Sequence, residues 1–356
     1  MMSMTPPGQR PYTAIAVVPT GIGARVGGYA GDALPFVRAL ASVVDCAIAH
    51  PNVLNGAMLS WPLDNVLYVE GYGLDRFAAG DWALRPVHRN TIALVLDRAI
   101  EPALQLRQRQ AADAARATWG LKLLPEAIIT DEPLGVELRR SPSGASWGTI
   151  AQPASLLRAA DRAIQAGASA IAVVARFPDE GDGDHAAAEA YRQGKGVDPI
   201  AGAEAVISHL IVREFAIPCA HAPALAPWDP SDAVDPRAAA EELGHTFLPC
   251  VLAGLGRAPQ FVMDRDRREP GDLTASAVDA IVVPADACGG GAVLSLPATT
   301  ERIVVTGNAT QMNVPPEVLG LKATPVRSYL EAIGAIAVHR AGLDLHGFQH
   351  SLHPLQ

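Results

Sequence analysis

Short apolar runs, each closed by glycine, proline or a polar turn, recur along the chain. They are AIAVVP at 14–19, CAIA at 46–49, TIALVLD at 91–97, SAIAVVARF at 169–177, IPCAH at 217–221, VDAIVVP at 278–284 and RIVVTGN at 302–308. Runs of this length without polar alternation are the pattern of parallel strands covered on both faces. AIITDEP at 127–133 reads as a further strand that ends in paired acids. Helical segments alternate with the strands. One runs from Asp32, as N-cap, to about Val44, and another from Glu101 to Trp119. Others cover 153–166, Asp198-Pro199 to about Glu214, 236–243 and 328–342. Their starts carry the capping and first-turn proline signals of helices. The stretch 52–86 reads as irregular with a short hairpin or helix, RSPSGASWGT over 140–149 as a Gly/Ser-rich loop, and 179–196 as a polar lid. The alternation predicts an α/β fold with mainly parallel sheets.

Several blocks occur twice in the same order. AIAVV stands at 14–18 and 170–174, CAIAHPNVL at 46–54 faces IPCAHAPAL at 217–225, and EAIITDEPLG at 126–135 faces DAIVVPADACGG at 279–290. This order predicts an internal duplication, with two similar α/β lobes over about 12–165 and 166–345. Residues 1–11 read as a disordered tail and 346–356 as a C-terminal tail.

Composition narrows the function classes. The chain has 356 residues, 49% hydrophobic and 18% charged, which is globular and too apolar for disorder. A net charge of −9 excludes a nucleic-acid binder, which needs a basic stripe to neutralise phosphates. Four cysteines without a CxxC spacing fit a reduced compartment and not a disulfide framework. No apolar run reaches the ~20 residues of a membrane span, and the start MMSMTPPGQRP lacks an apolar signal region. The expectation is a cytoplasmic protein with a small-molecule ligand and no membrane or nucleic-acid partner, with a homo-oligomer left open.

In open parallel sheets ligands bind beyond the carboxyl ends of the strands, so the residues delivered there are the site candidates. His50 and His221 end matching strands, and either suits a general base because imidazole titrates near neutral pH. Asp131 and Glu132 would orient them or share a proton. Cys288, beside Gly289, Gly290 and Gly291, is a candidate nucleophile whose thiol the exposed backbone dipoles would acidify. Those three glycines, together with Thr20, Gly21 and Gly23 of TGIGARVGGYAG, are candidate backbone cradles for an anion. Asn52, Arg176, Lys195, Asp286 and Asn308 complete the substrate-binding set. The alternative for each is structural: a tight turn for the glycines, a packed thiol for Cys288, and hydrogen-bonded core histidines. GxGxxxGG departs from the dinucleotide fingerprint and GxxxxGK[ST] is absent, so NAD and ATP are not expected. His50 and His221 with Asp131 or Glu132 have the ligand types for a divalent metal, but no HxH or HExxH spacing supports one. No cofactor is identified.

The segments TGIGARVGGYAGDALP, HPNVLNGA, GASWGTI, GVDPIAGAEAVISHL, CAHAPAL and ACGGGAVLSL span nearly the whole chain. In them the chain resembles an uncharacterised domain-of-unknown-function family of cyanobacteria and plants. The resemblance implies a soluble cytoplasmic or stromal protein and transfers no catalytic residue. The functional expectation is an enzyme that acts by acid–base chemistry, as an isomerase, lyase or hydrolase, on a small anionic carboxylate or phosphate metabolite in an inter-lobe cleft. The alternative is a non-catalytic nucleotide or metabolite sensor that uses the same glycine turns.

Overall fold

The computed structural model describes residues 10–49, 63–178, 185–225, 232–242 and 247–348. The strands are β1 (Thr13–Ala16), β2 (Cys46–Ala49), β3 (Val66–Tyr68), β4 (Ala83–Arg85), β5 (Thr91–Leu96), β6 (Lys122–Leu123), β7 (Ile128–Ile129), β8 (Val136–Arg140), β9 (Ser146–Ile150), β10 (Ala170–Arg176), β11 (Cys219–Ala224), β12 (Gln260–Val262), β13 (Val278–Pro284), β14 (Glu301–Val305) and β15 (Thr324–Val326). The helices are α1 (Leu34–Val43), α2 (Gly71–Ala78), α3 (Pro102–Trp119), α4 (Pro153–Gln165), α5 (His185–Arg192), α6 (Ala201–Phe215), α7 (Ala239–Glu242), α8 (Phe247–Gly256), α9 (Gly291–Ser295) and α10 (Tyr329–Arg340).

The fold is α/β with two parallel sheets. The first has the order β15-β14-β13-β1-β2-β3, and all its pairings are parallel. It takes three strands from the start of the chain and three from its last third. The second has the order β11-β10-β5-β6, with β7 also paired to β5. Strand interiors are apolar on both faces because both faces are covered. In the first sheet Ile15, Ile48 and Ile281 pack with Leu74 and Phe77 of α2 on one side. Ala14, Ala16 and Val282 pack with Val37 and Leu40 of α1 on the other. This second cluster continues through Leu252 and Leu255 of α8 onto Leu94 and Leu96 of β5, so one apolar core joins the two sheets. Small alanines dominate the strands and let the covering helices approach closely.

The expected strands and helices recur with shifted ends. Asp32 does not cap α1, whose N-cap is Ala33 with Pro35 in the first turn. Asp198 precedes α6 and accepts the N–H of Ile200 at 2.9 Å, but the helix starts at Ala201. The expected Gly/Ser loop at 140–149 is the turn and second strand of the antiparallel hairpin β8–β9, whose strands pair from Val136↔Ile150 to Arg140↔Ser146. Within the span expected as a lid, residues 185–192 form α5, and 179–184 lie outside the described residues.

The two AIAVV strands hold locally similar places, since β1 pairs in parallel with β2 and β10 with β11. A boundary at 165/166 would nevertheless pass between β5 and β10, which are paired neighbours in one sheet. The sheets are therefore not the two consecutive halves of the chain.

The β8–β9 hairpin lies directly on α6 and on the turn after β1. Gly21 O accepts the N–H of Ser146 at 2.8 Å, and Gly202 N–H donates to Ser146 Oγ at 3.2 Å. A Cβ at Gly202 would stand 2.3 Å from Ser146 O and 2.4 Å from Trp147 Cα. Alanine is the better helix former, but here it must push backbone away. Gly202→Ala is therefore expected to lower unfolding stability by about 1–3 kcal/mol, read from the urea midpoint at unchanged m-value. An unchanged or raised midpoint contradicts this packing.

Candidate functional site

In the first sheet the chain leaves β1 toward β2 and leaves β13 toward β14, on opposite sides. Two adjacent parallel strands whose connections diverge leave a crevice at their carboxyl ends, the place where open α/β sheets bind ligands. A cavity of about 190 Å³ lies there. It is lined by Val17 and Pro19 after β1, by Ala287, Gly290 and Gly291 after β13, by Leu74 and Asp75 of α2, and by His209 of α6. His209 belongs to a helix that packs against the second sheet, so both sheets contribute to the wall.

The polar residues of the wall are organised by Glu70, which is 4% exposed. Glu70 is the N-cap of α2, and its Oε2 accepts the N–H groups of Tyr72 at 2.8 Å and Gly73 at 3.3 Å. Its Oε1 stands 2.9 Å from Nδ1 of His209. The His209 and Tyr72 rings stand nearly perpendicular, at 80°, with centroids 5.2 Å apart. Burial alone would lower the His209 pKa. The hydrogen bond and charge of Glu70, aided by the charge of Asp75 and opposed by Arg213, outweigh it, so the net shift is upward.

Asp75 lies one turn into α2. Burial raises its pKa, the N–H of Ala292 and the charge of His209 oppose this, and the charge of Glu70 adds to it. A Cβ at 291 would stand 2.7 Å from Cγ of Asp75. Gly291 is thus required for the Asp75 carboxyl to reach α9. The wall therefore holds an imidazole and a carboxyl that are both shifted upward from their ordinary values, and perturbed titratable groups gathered in a crevice are the mark of a functional site.

Of the residues expected from sequence, Gly290 and Gly291 line this cavity, and Gly289 sits beside it against Val314. The others are placed elsewhere. His50 and Asn52 lie outside the described residues. His221 is buried in β11 and bonds Ser208 Oγ through Nδ1 at 3.0 Å, in the manner of a core histidine. Asp131 and Glu132 are surface carboxylates paired with Arg158, and Asp131 also with Arg162. The hydrogen bond from Arg158 holds Asp131 below the usual carboxylate range, which suits a permanent anion and not a proton carrier.

Cys288 corrects the nucleophile expectation. It is 1% exposed, its Sγ faces the carbonyls of Pro284 and Ala285, and burial, with Glu317 and Asp286 adding, pushes its thiol up to about 11. The glycine dipoles do not acidify it. Arg176 is held by the Glu101 carboxylate at 3.0 Å. Lys195 is exposed on the turn after α5. Asp286 clasps Thr310 through both carboxyl oxygens, at 2.8 and 2.9 Å.

The first glycine turn is likewise a clasp and not an open anion cradle. Asn308 Oδ1 accepts the N–H of Val26 and its Nδ2 donates to Val26 O. Asp32 Oδ1 accepts the N–H of Gly27 at 2.6 Å. Thr20 lies half-buried at the start of this turn. Gly21 packs on Ser146, and Gly23 on Val197 and Gln311. The left-handed φ of Gly21, Gly23, Gly27 and Gly31 explains the glycine density without a ligand.

Sequence reasoning missed Glu70, Asp75 and His209: Glu70 follows the apolar run 66–69 inside a stretch read as irregular, and Asp75 and His209 lie within helices. One local signal was available: Glu-Gly-Tyr-Gly before an amphipathic segment is an acidic N-cap followed by a helix. Among the described residues no group of three or more His, Cys, Asp or Glu is arranged to hold a metal ion.

Residues 13–349 match the family described as Protein of unknown function (DUF3326). The chain belongs to this family. A similar relative is the "Uncharacterized lipoprotein syc1174_c" of Synechococcus sp. (strain ATCC 27144 / PCC 6301 / SAUG 1402/1). It is 56% identical over 336 residues, which cover 94% of this chain and 92% of the relative. No solved structure matches the chain. The cyanobacterial relative agrees with the resemblance read from the sequence. Its name as a lipoprotein overturns the expected cytoplasmic or stromal placement. Among the described residues no helix is long and apolar enough to cross a membrane.

The clasp at Asp32 has a pH signature. Its Oδ2 is buried without a hydrogen-bond partner, and burial raises its pKa to about 6 against the opposing N–H groups of Gly27 and Tyr29 and the charge of Arg237. A raised carboxyl contributes stability that is complete below the unfolded value near ~3.9 and is lost as pH rises through the folded value. Asp32→Asn is therefore expected to gain about 2 kcal/mol on the wild type between pH 4 and pH 7, measured by chemical denaturation at both. A difference that is flat with pH would refute the assignment.

Proposed function

We propose that the protein is an enzyme that performs proton transfer on a small polar metabolite held in the crevice between the ends of β1 and β13. His209 is the acid–base residue and Asp75 the second proton-handling carboxyl. The observation that carries this reading is the Glu70–His209 hydrogen bond, at 2.9 Å, on the wall of a cavity at the strand-order reversal. An imidazole held by a buried carboxylate has a preset orientation and a raised pKa, and a fixed, titratable imidazole is the group general acid–base catalysis uses most often.

Two features refine the expected chemistry. Cys288, the candidate nucleophile, is a buried thiol, which favours proton abstraction by an isomerase or lyase over covalent hydrolysis. The lining carries the Asp75 carboxyl beside the His209 imidazole, and the N–H groups of Val26 and Gly27 in the first glycine turn are engaged. An anionic reacting group would meet the Asp75 carboxyl, so the reading is a substrate whose reacting end is neutral or cationic. The volume of about 190 Å³ fits a small metabolite, since a cavity of about 150 Å³ already takes a benzene ring. From the relative's name we also take it that this chain is attached to a membrane by lipid; the reading of the cavity does not depend on it.

A metabolite mixture incubated with the full chain in D2O tests the proposal, with deuterium uptake and mass-shifted products followed by mass spectrometry. At least one metabolite should exchange or convert, and His209→Gln should slow this ~10²–10⁴-fold, the range for losing a general acid–base group. No conversion by the wild type, or equal conversion by His209→Gln, rejects the function.

A further inference from the structure

We propose that Glu70 is a positioning residue that holds neutral His209 as the Nδ1–H tautomer, so that Nε2 is the basic nitrogen presented to the cavity. This rests on the proton-transfer reading above and deepens it by naming the reacting atom.

The inference follows from how the two oxygens of one carboxylate are divided. Oε2 is taken by two donors, the N–H groups of Tyr72 and Gly73 at the start of α2. A carboxylate there is favoured by the N-terminal end of the helix and by the donors that would otherwise be unsatisfied. Oε1 is left facing Nδ1 of His209 at 2.9 Å. An ionised carboxylate only accepts, so Nδ1 must carry the proton; in a neutral imidazole the other nitrogen is then the acceptor. Nε2 has no hydrogen-bond partner among the described residues, while His209 lines the cavity.

The helix cap thus does two things at once. It satisfies α2, and it prevents Glu70 from turning away from the imidazole, because rotation would strand the N–H groups of Tyr72 and Gly73. The other charged groups acting on His209 are Asp75 of α2 and Arg213, one turn further along α6, and the Tyr72 ring closes one side. Neither Asp75 nor Arg213 is hydrogen-bonded to His209, so tautomer selection belongs to Glu70 alone.

The test is nitrogen NMR of the full chain labelled at histidine, with His209 assigned by its loss in His209→Gln. Above the His209 titration, the wild type should show a protonated Nδ1 and a bare Nε2. Glu70→Gln can still cap α2 with its amide oxygen, but its NH2 then donates to Nδ1. The proton should move to Nε2, and the titration midpoint should shift to lower pH. Glu70→Asp serves as a second, folded reference. It remains a strong N-cap but is one methylene short of His209, so the ring should relax to the mixed tautomers and lower midpoint of an unpaired histidine.

A wild-type proton on Nε2, or a tautomer unchanged in Glu70→Gln, overturns the proposal whether or not turnover is seen. With the tautomer as stated, absence of any His209-dependent conversion would instead defeat the function proposed above and leave the positioning role intact. Where conversion is measured, Glu70→Gln should lower kcat while leaving KM close to the wild type, and should move the acidic limb of the pH profile, where Nε2 becomes protonated, with the NMR midpoint.

Discussion

The parallel pairing of β1 with β13 is the constraint on which the rest depends. The first strand of the chain lies beside a strand that begins at Val278, and each continues into a connection on its own side of the sheet. No helix can bridge the gap where the connections part, so the carboxyl ends open onto a crevice. Everything functional in the reading follows from what is brought to that gap. α9 starts there because β13 ends there. α2 packs against α9 because the strand before it, β3, is the far edge of the same sheet.

Glu70 then converts a packing arrangement into an electrostatic one. It stands at the junction of β3 and α2 and reaches His209 on a helix of the second sheet, so the seam between the sheets carries a charge-assisted bond. Such a bond is stronger than a neutral one and shorter in reach, which ties the cavity geometry to the relative position of the sheets. The shared apolar core of α8 with both sheets keeps that position from drifting. Asp75 and Gly291 depend on the same arrangement, since the carboxyl can approach α9 only where no side chain intervenes.

The glycine-rich turn after β1 shows why a strong local pattern can mislead. Its composition suits an anion cradle, but composition cannot say whether the backbone donors are free. Here Asn308 and Asp32 take those of Val26 and Gly27, and Ser146 closes on Gly21. The same holds for Cys288. The glycines beside it would acidify an exposed thiol, yet its sulfur lies against carbonyls in the core. His221, expected at the end of a strand, lies inside β11, bonded to Ser208 of a helix, and Asp131, just past β7, lies among surface arginines.

The sequence by itself determined the class of the fold and most of its elements. Burial on both faces leaves a mark in every strand of four or more apolar residues, and helix starts and stops are written in caps, prolines and glycines within a few positions. It also determined that the two glycine turns would lie at strand ends. Which strands become neighbours was decided only in the tertiary structure, because AIAVV suits the centre of either sheet equally well, and the repeated blocks suggested halves that the sheets do not follow. The site was decided there too. Glu70 and His209 are 139 positions apart, and neither sits in a motif. Their meeting depends on the long-range packing of α2 against α6, which no local pattern of residues encodes.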